Sequence, residues 1–377
     1  MRRRFRRFVP GQPSIDIQII EVEPTYEDYQ YRAPMKFGAS VVTRVTIQNI
    51  RCKVRGRNGK GAEGFDQTPM ANYTARAAIR LWDRITCTTI SGITWVPSSA
   101  AKGSTATYFR TQSRNCHCIT WSVPSTRSHH PTSNTALMTA FRRLCLSGFN
   151  GITHIKIKLN ADNHEWDLNR VIRVHQATAP TERERKVSDY VYSLDFNGKC
   201  PNVGYLVDFL GELKSKSPEA FRRIQYVEQP TARNLKANPQ NDMHEASKLV
   251  PVVIDESLTG EDTFLQALAM GYSGAALKVC KGQSQSLLLA APGQKKKVFL
   301  CVQDLTCPGE SLLQSVSLAA HVPTMAIEAN ARQYVPAANK GWRDRYPGVF
   351  KVRDGLVHTA GLDGPGLGAL PVKNSYV

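Results

Sequence analysis

Near its start the chain alternates apolar and polar positions with a period of two. Ile15-Asp16-Ile17-Gln18-Ile19 is one such run and Val41 to Val54 is another, followed by turn chemistry at Asn58-Gly59 and Gly61. The spacing predicts antiparallel strands over 13–56, and residues 73–83 have the spacing of a helix. Residues 84–135 are rich in Ser, Thr, Cys, Arg and His and keep no sustained period, with a strand predicted at Ile119–Val123. From Leu137 the pattern becomes regular. Leu137, Phe141 and Leu144 predict a helix ending near Gly148, and a β-rich run, Ile152–Leu159, follows. Strand-like runs recur at Tyr190–Leu194, Ile224–Val227, Val250–Ile254, Ala275–Leu277, Val298–Val302 and Thr324–Ile327. Between them, Val203, Leu206, Val207, Leu210 and Leu213 have helical spacing. Strands alternating with helices predict parallel βα units.

The runs end on ionisable residues: Lys158, Asp195, Glu228, Asp255, Lys278, Asp304 and Glu328, spaced by 37, 33, 27, 23, 26 and 24 positions. A βα barrel of ~250 residues allots about 31 to each of eight units, and its catalytic groups stand at the C-terminal strand ends. Seven units from Lys158 to Glu328, plus one before them, complete such a barrel. Asp195, Glu228 and Asp255 end three successive strands, where their carboxylates repel unless a cation lies among them. An all-oxygen donor set suits Mg²⁺ or Mn²⁺ rather than zinc. In Lys156-Ile157-Lys158 the strand period points both lysines into the barrel. Lys278 arrives from the far side. Lysine becomes a useful base when a nearby metal and a second ammonium lower its pKa from ~10.4. Lys158 and Lys278 facing each other across one carbon could exchange a proton on either face.

Composition changes little of this picture. The 377 residues suffice for one large domain or two ordinary ones, and 41% hydrophobic with 21% charged content reads as globular. No apolar run approaches the length of a membrane span. Nine scattered cysteines suit a reducing compartment, so a cytoplasmic location is expected. The net charge of +18 is spread out apart from Arg2–Arg7, Arg183–Lys186 and Lys295–Lys297, and no aromatic residues interleave with those runs as a base-stacking groove requires. Cys116-His117-Cys118 with His129-His130 fits no structural zinc spacing.

The segments Lys156-Ile-Lys158, Leu194-Asp195-Phe-Asn197, Val227-Glu228-Gln229-Pro230, Ile254-Asp255-Glu256-Ser257, Leu277-Lys278-Val-Cys-Lys281 and Gly364-Pro365-Gly366-Leu367-Gly368, in this order and at this spacing, resemble the mandelate racemase/muconate lactonizing group of the enolase superfamily. The Lys-x-Lys pair before the acids resembles the muconate-lactonizing-enzyme subgroup. The resemblance covers about 137–370, and Arg32-Ala-Pro-Met-Lys-Phe-Gly38 with Gly59–Gly64 loosely resembles the family's capping domain. It implies a modified, enolase-like α/β TIM-type barrel behind an N-terminal α+β capping domain. The expected divisions are a basic tail at 1–12, the cap at 13–115, the barrel at 116–345 and a segment at 346–377 returning to the cap.

The resemblance further implies Mg²⁺ (or Mn²⁺) held by Asp195, Glu228 and Asp255, with Lys158 and Lys278 as acid/base groups and Lys156 supporting an enolate oxygen. Glu328 would touch the substrate, with Asp304 a weaker candidate, and a cap loop near Phe37 would close over the site. The implied reaction is abstraction of a proton alpha to a carboxylate, leading to racemisation or epimerisation. Cycloisomerisation and dehydration use the same lysines. Two features depart from the family: Gly282-Gln283-Ser284 in place of Gly-Gly after Lys281, which alters a loop without removing the base, and the polar 84–135 stretch, which motivates another reading, a barrel that binds or scaffolds without catalysing. Expected partners are a small carboxylate and further copies of the chain, with no nucleic acid and no membrane.

Overall fold

The computed structural model describes residues 17–37, 40–56, 58–70, 116–123, 151–185, 190–303, 306–324 and 326–362. The tail at 1–12, the expected helices at 73–83 and 137–148, Asp304 and the closing Gly364–Gly368 run lie outside the described residues.

The N-terminal alternation forms an antiparallel sheet of β1 (Ile17–Phe37), β2 (Ser40–Gly56) and β3 (Gly61–Met70), in that order. Eight parallel strands follow: β4 (Cys116–Val123), β5 (His154–Lys158), β6 (Val191–Asp195), β7 (Ile224–Glu228), β8 (Val252–Ile254), β9 (Gly274–Leu277), β10 (Phe299–Gln303) and β11 (Ala326–Glu328). Each pairs with the next, and β11 pairs back with β4, so the ring is closed. The α/β barrel expected from the spacing is therefore present. After it, β12 (Leu356–Val357) lies antiparallel on β4.

Strand periodicity explains the wall of the barrel. Ile155, Ile157, Tyr192, Leu194, Val227, Val252, Ile254, Ala275, Leu277, Leu300, Val302 and Ile327 face outward and join one apolar cluster with the surrounding helices. The alternate residues Tyr226, Val253, Ala276 and Cys301 form a separate cluster inside the ring. The helices include α1 (His164–Arg185), α2 (Val203–Lys216), α3 (Pro218–Arg222), α4 (His244–Leu249), α5 (Glu261–Ala269), α6 (Gln283–Lys295) and α7 (Glu310–His321). Among the described residues no helix is long and apolar enough to cross a membrane.

The helix α2 shows how local sequence seats these elements. Asn202 caps it, its side chain accepting from the Tyr205 N–H at 2.9 Å, and Pro218 follows its end. Leu206, Leu210 and Leu213 are fully buried, as the helical spacing predicts, Phe209 joins them, and Val203 and Val207 are half-buried. Phe209 meets Phe196, just after β6, edge to face at 5.4 Å between centroids.

The antiparallel sheet attaches to the barrel's late loops. Val45 and Ile47 of β2 cluster with Tyr334 and Val335, and the Ser311 hydroxyl at the start of α7 donates to the Gln67 carbonyl of β3. Asn339 accepts from the Gly309 N–H at 2.8 Å.

Because Phe209 joins helix to barrel wall, Phe209→Ala should lower the unfolding free energy by about 3–5 kcal/mol. A urea midpoint within error of the wild type's would show that α2 does not bear on the core.

Candidate active site

One layer of side chains crosses the C-terminal mouth of the barrel. It contains Lys156 and Lys158 from β5, Asp195 ending β6, Glu228 ending β7, Asp255 just after β8, Lys278 just after β9, Gln303 ending β10 and Glu328 ending β11. All are buried except Lys158, which is partly exposed. In a closed ring of eight, β5 and β9 stand four strands apart in either direction, on opposite walls. Lys158 and Lys278 thus leave opposite walls, and the strands of the three acids fill one arc between them. By the same count Glu328 stands opposite Glu228.

Local structure holds these positions. Lys158 pairs in register with Asp195, and Asp195 with Glu228. Arg170 Nε on α1 donates to the Lys158 carbonyl at 3.1 Å, and the Asp167 carboxylate accepts from the N–H groups of Asn160 and Ala161 at 3.0 and 2.7 Å. Asn197, at φ 51°, caps the end of β6, its backbone N–H and Nδ2 donating to Asp195 Oδ1 at 2.8 and 2.9 Å. Its Nδ2 also lies 3.1 Å from Glu256 Oε1. Fully buried Gln229 ties two strand ends together. Its Oε1 accepts from the N–H groups of Asp255 and Ser257, both at 3.1 Å, and its Nε2 donates to Ser257 Oγ at 2.8 Å.

Charge in the layer is paired. Lys156, 1% exposed, reaches Glu228 at 2.8 and 3.0 Å, Asp195 at 3.7 Å and Glu328 past the intervening β4. Burial alone would pull its pKa down, but Glu228, Glu328 and Asp195 outweigh that and raise it well above the usual lysine value. Lys158 bonds Asp195. Burial raises the Asp195 pKa, yet Lys158 and Lys156 reverse this and hold it below the carboxylate range. Lys278 bonds Asp255 at 2.6 Å. Against the opposing effect of burial, the pair lowers the Asp255 pKa, through Lys278 and Lys281, and raises that of Lys278. Lys281 grips the Asp255 carbonyl at 2.6 Å and its Oδ1 at 3.4 Å, and burial lowers its own pKa.

Seven of the residues singled out in the sequence therefore meet in one layer: Lys156, Lys158, Asp195, Glu228, Asp255, Lys278 and Glu328. Phe37 falls at the end of β1, in the antiparallel sheet, with its side chain outside the described residues. At the seventh strand the structure brings in Gln303, which sequence reasoning missed. Its signal was strand parity, since 303 shares the inward face with Cys301. Lys281 and Asn197 stand in the sequence only within the family-like motifs.

The donor chemistry of the three acids suits a hard divalent cation. In this structure each of their six oxygens meets a donor from Lys156, Lys158, Lys278, Lys281, Asn197 or Gln303. Among the described residues no three His, Cys, Asp or Glu side chains stand in a metal-ligating arrangement. A cation would take oxygens that the ammonium groups now hold.

The sequence of the family described as enolase C-terminal domain-like matches residues 141–373, more than half of the chain, and the chain belongs to that family. Its fold is that of the mandelate racemase/muconate lactonizing type within the enolase superfamily. The structure is similar to muconate lactonizing enzyme from Pseudomonas fluorescens complexed with muconolactone, with TM-score 0.63 and 14% identity over 96% of this chain and 98% of that one. It is similar to the L-Ala-D/L-Glu epimerase from Bacillus subtilis, with TM-score 0.59 and 15% identity over 82% and 89%. It is also similar to a dipeptide epimerase from Cytophaga hutchinsonii complexed with Mg and D-Ala-L-Val, with TM-score 0.59 and 13% identity over 84% and 87%. No curated protein matches in sequence.

Lys156→Met should destabilise the protein by about 3–5 kcal/mol at pH 7, because it leaves buried carboxylates without their cation. The raised Lys156 pKa means that its contribution is complete below the lysine value in the unfolded chain. In the variant the orphaned carboxylates have raised folded-state pKa values, so acid should restore stability as they protonate. A deficit that stays constant from pH 8 to pH 4 in denaturant titrations would contradict this charge assignment.

Proposed function

We propose that the protein is a metal-dependent enzyme that removes the proton alpha to a substrate carboxylate and returns it on the other face, racemising or epimerising that carbon. The observation that carries this reading is the placement of Lys158 and Lys278 on opposite walls with three buried acids on the arc between them. The Lys156-Ile157-Lys158 pattern supports the muconate-lactonizing-enzyme-like subgroup.

Asp195, Glu228 and Asp255 would hold the cation, Mg²⁺ or Mn²⁺. When bound, it would draw off the carboxylate charge that now retains the lysine protons and offset the charge developing on the substrate carboxylate. With Asp255 and Glu228 holding a cation, the burial that lowers the Lys278 pKa would weigh more against the remaining Glu256, which would suit a general base. One lysine takes the α-proton as the C–H bond breaks and its electron pair moves into the carboxylate, giving an enolate. The other donates a proton to the opposite face, and Lys156 steadies the oxygen. Glu328 borders the substrate. The structural likeness to muconate lactonizing enzyme supports a second reading, cycloisomerisation, and dehydration uses the same lysines. A small carboxylate partner, a homo-oligomeric assembly and a cytoplasmic setting belong to the proposal.

The proposed ligands are tested by Asp195→Asn, Glu228→Gln and Asp255→Asn. Each should weaken Mg²⁺ binding, measured by calorimetry, at least as much as the about 10-fold that losing an outer-shell partner costs. Unchanged affinity in all three would place the metal elsewhere.

The two-base mechanism is tested by α-deuterium incorporation from D₂O into a carboxylate library. Lys158→Ala should abolish turnover in both directions, with a loss of about 10²–10⁴-fold, yet still exchange one stereoisomer. Lys278→Ala should exchange the other. Full turnover in one variant would indicate a one-base reaction such as cycloisomerisation. No exchange by the wild type with any substrate, despite metal binding, would leave a barrel that binds or scaffolds.

A further inference from the structure

Gln303 reaches across the barrel mouth from β10. It is 1% exposed, and its Nε2 donates to Glu228 Oε2 while lying 3.7 Å from Cys301 Sγ. Its Oε1 is buried and has no hydrogen-bond partner. Its amide nitrogen is the end turned to Glu228, whose two oxygens also accept from Lys156. A buried carbonyl without a donor is costly and rare, and such groups concentrate at functional sites. The donors around it are committed: Lys278 to Asp255, Lys156 to Glu228 and Glu328, and Asn330 Nδ2 to Glu328.

We infer that Gln303 selects the substrate: its carbonyl accepts a hydrogen bond from an N–H or O–H borne beside the reacting carbon, so the site takes donor-bearing carboxylates and disfavours those without a donor. This rests on the proton-abstraction reading and narrows it. Dipeptides, N-acylamino acids and sugar acids offer the donor. The hydrocarbon skeleton of a muconate does not, so the inference also separates epimerisation from cycloisomerisation. A donor-free substrate would bury the carbonyl unmet in the closed complex, and that penalty is the source of discrimination.

The test uses the full chain with Mg²⁺ and two matched panels: N-acetylamino acids and 2-hydroxy acids in one, and analogues with CH₂ or hydrogen in place of the NH or OH in the other. α-Deuterium exchange is followed by NMR, and binding by saturation transfer. The wild type should favour the donor-bearing panel by about 10- to 100-fold. In Gln303→Leu that ratio should fall to within about twofold, the size of an unmade preference. Loss of the Nε2 contact to Glu228 burdens both panels alike, so the ratio isolates the carbonyl. Gln303→Met, which also lacks the carbonyl and keeps the side chain's length, should lose the preference likewise and serves if the leucine variant fails to fold. Equal use of the two panels by the wild type, or an intact preference in Gln303→Leu, would overturn the inference while leaving proton abstraction standing. Absence of exchange and of binding on both panels would remove the proton-abstraction reading and this inference together.

Discussion

The Lys156 ammonium, out of water and shared among Glu228, Asp195 and Glu328, sets the terms for the rest of the barrel mouth. A charge buried alone costs several kcal/mol, a large share of a domain's net stability, so each group in the layer must have an opposite within reach. Acids and lysines on neighbouring and facing strands meet that demand. Removing any one leaves its partners exposed to the full desolvation cost, which couples the layer electrostatically although its members lie up to 172 residues apart, from Lys156 to Glu328.

That coupling works only because the wall is two-faced. Outward apolar residues bind the strands to the helices, and the inward set beneath the layer, Tyr226, Val253, Ala276 and Cys301, closes the barrel against water from below. The ionisable groups are left at one end, where the loops can reach them. Those loops are held by hydrogen bonds as well as by apolar packing: Asp167 and Arg170 after β5, Asn197 after β6, Gln229 between the ends of β7 and β8, and Lys281 on the Asp255 carbonyl. Polar clamps of this kind hold the strand ends in place around a site that must exchange protons.

Much of this was legible in the chain. The apolar runs ending on Lys158, Asp195, Glu228, Asp255, Lys278 and Glu328 marked the strands and their mouth, because a strand covered on both faces places its ionisable residues at its end. The spacing of Val203, Leu206, Leu210 and Leu213 marked α2 for the same reason, one apolar face against a wall. Gln303 was not legible. An uncharged amide makes no pattern, and the ionisable residue at that strand end is the neighbouring Asp304. Nor could sequence reveal the reach of Lys156 to Glu328, since the two are neighbours only through β4.

The sequence by itself determined the local period, the apolar face of each strand and helix, and which ionisable residues stand at strand ends, because those depend on neighbours one to four positions away. The tertiary structure alone decided what faces what. Pairing β11 with β4 closes the ring, and closure puts β5 opposite β9 and β7 opposite β11. Distances across a ring depend on the number of strands and their register, which are properties of long-range pairing that no local pattern carries.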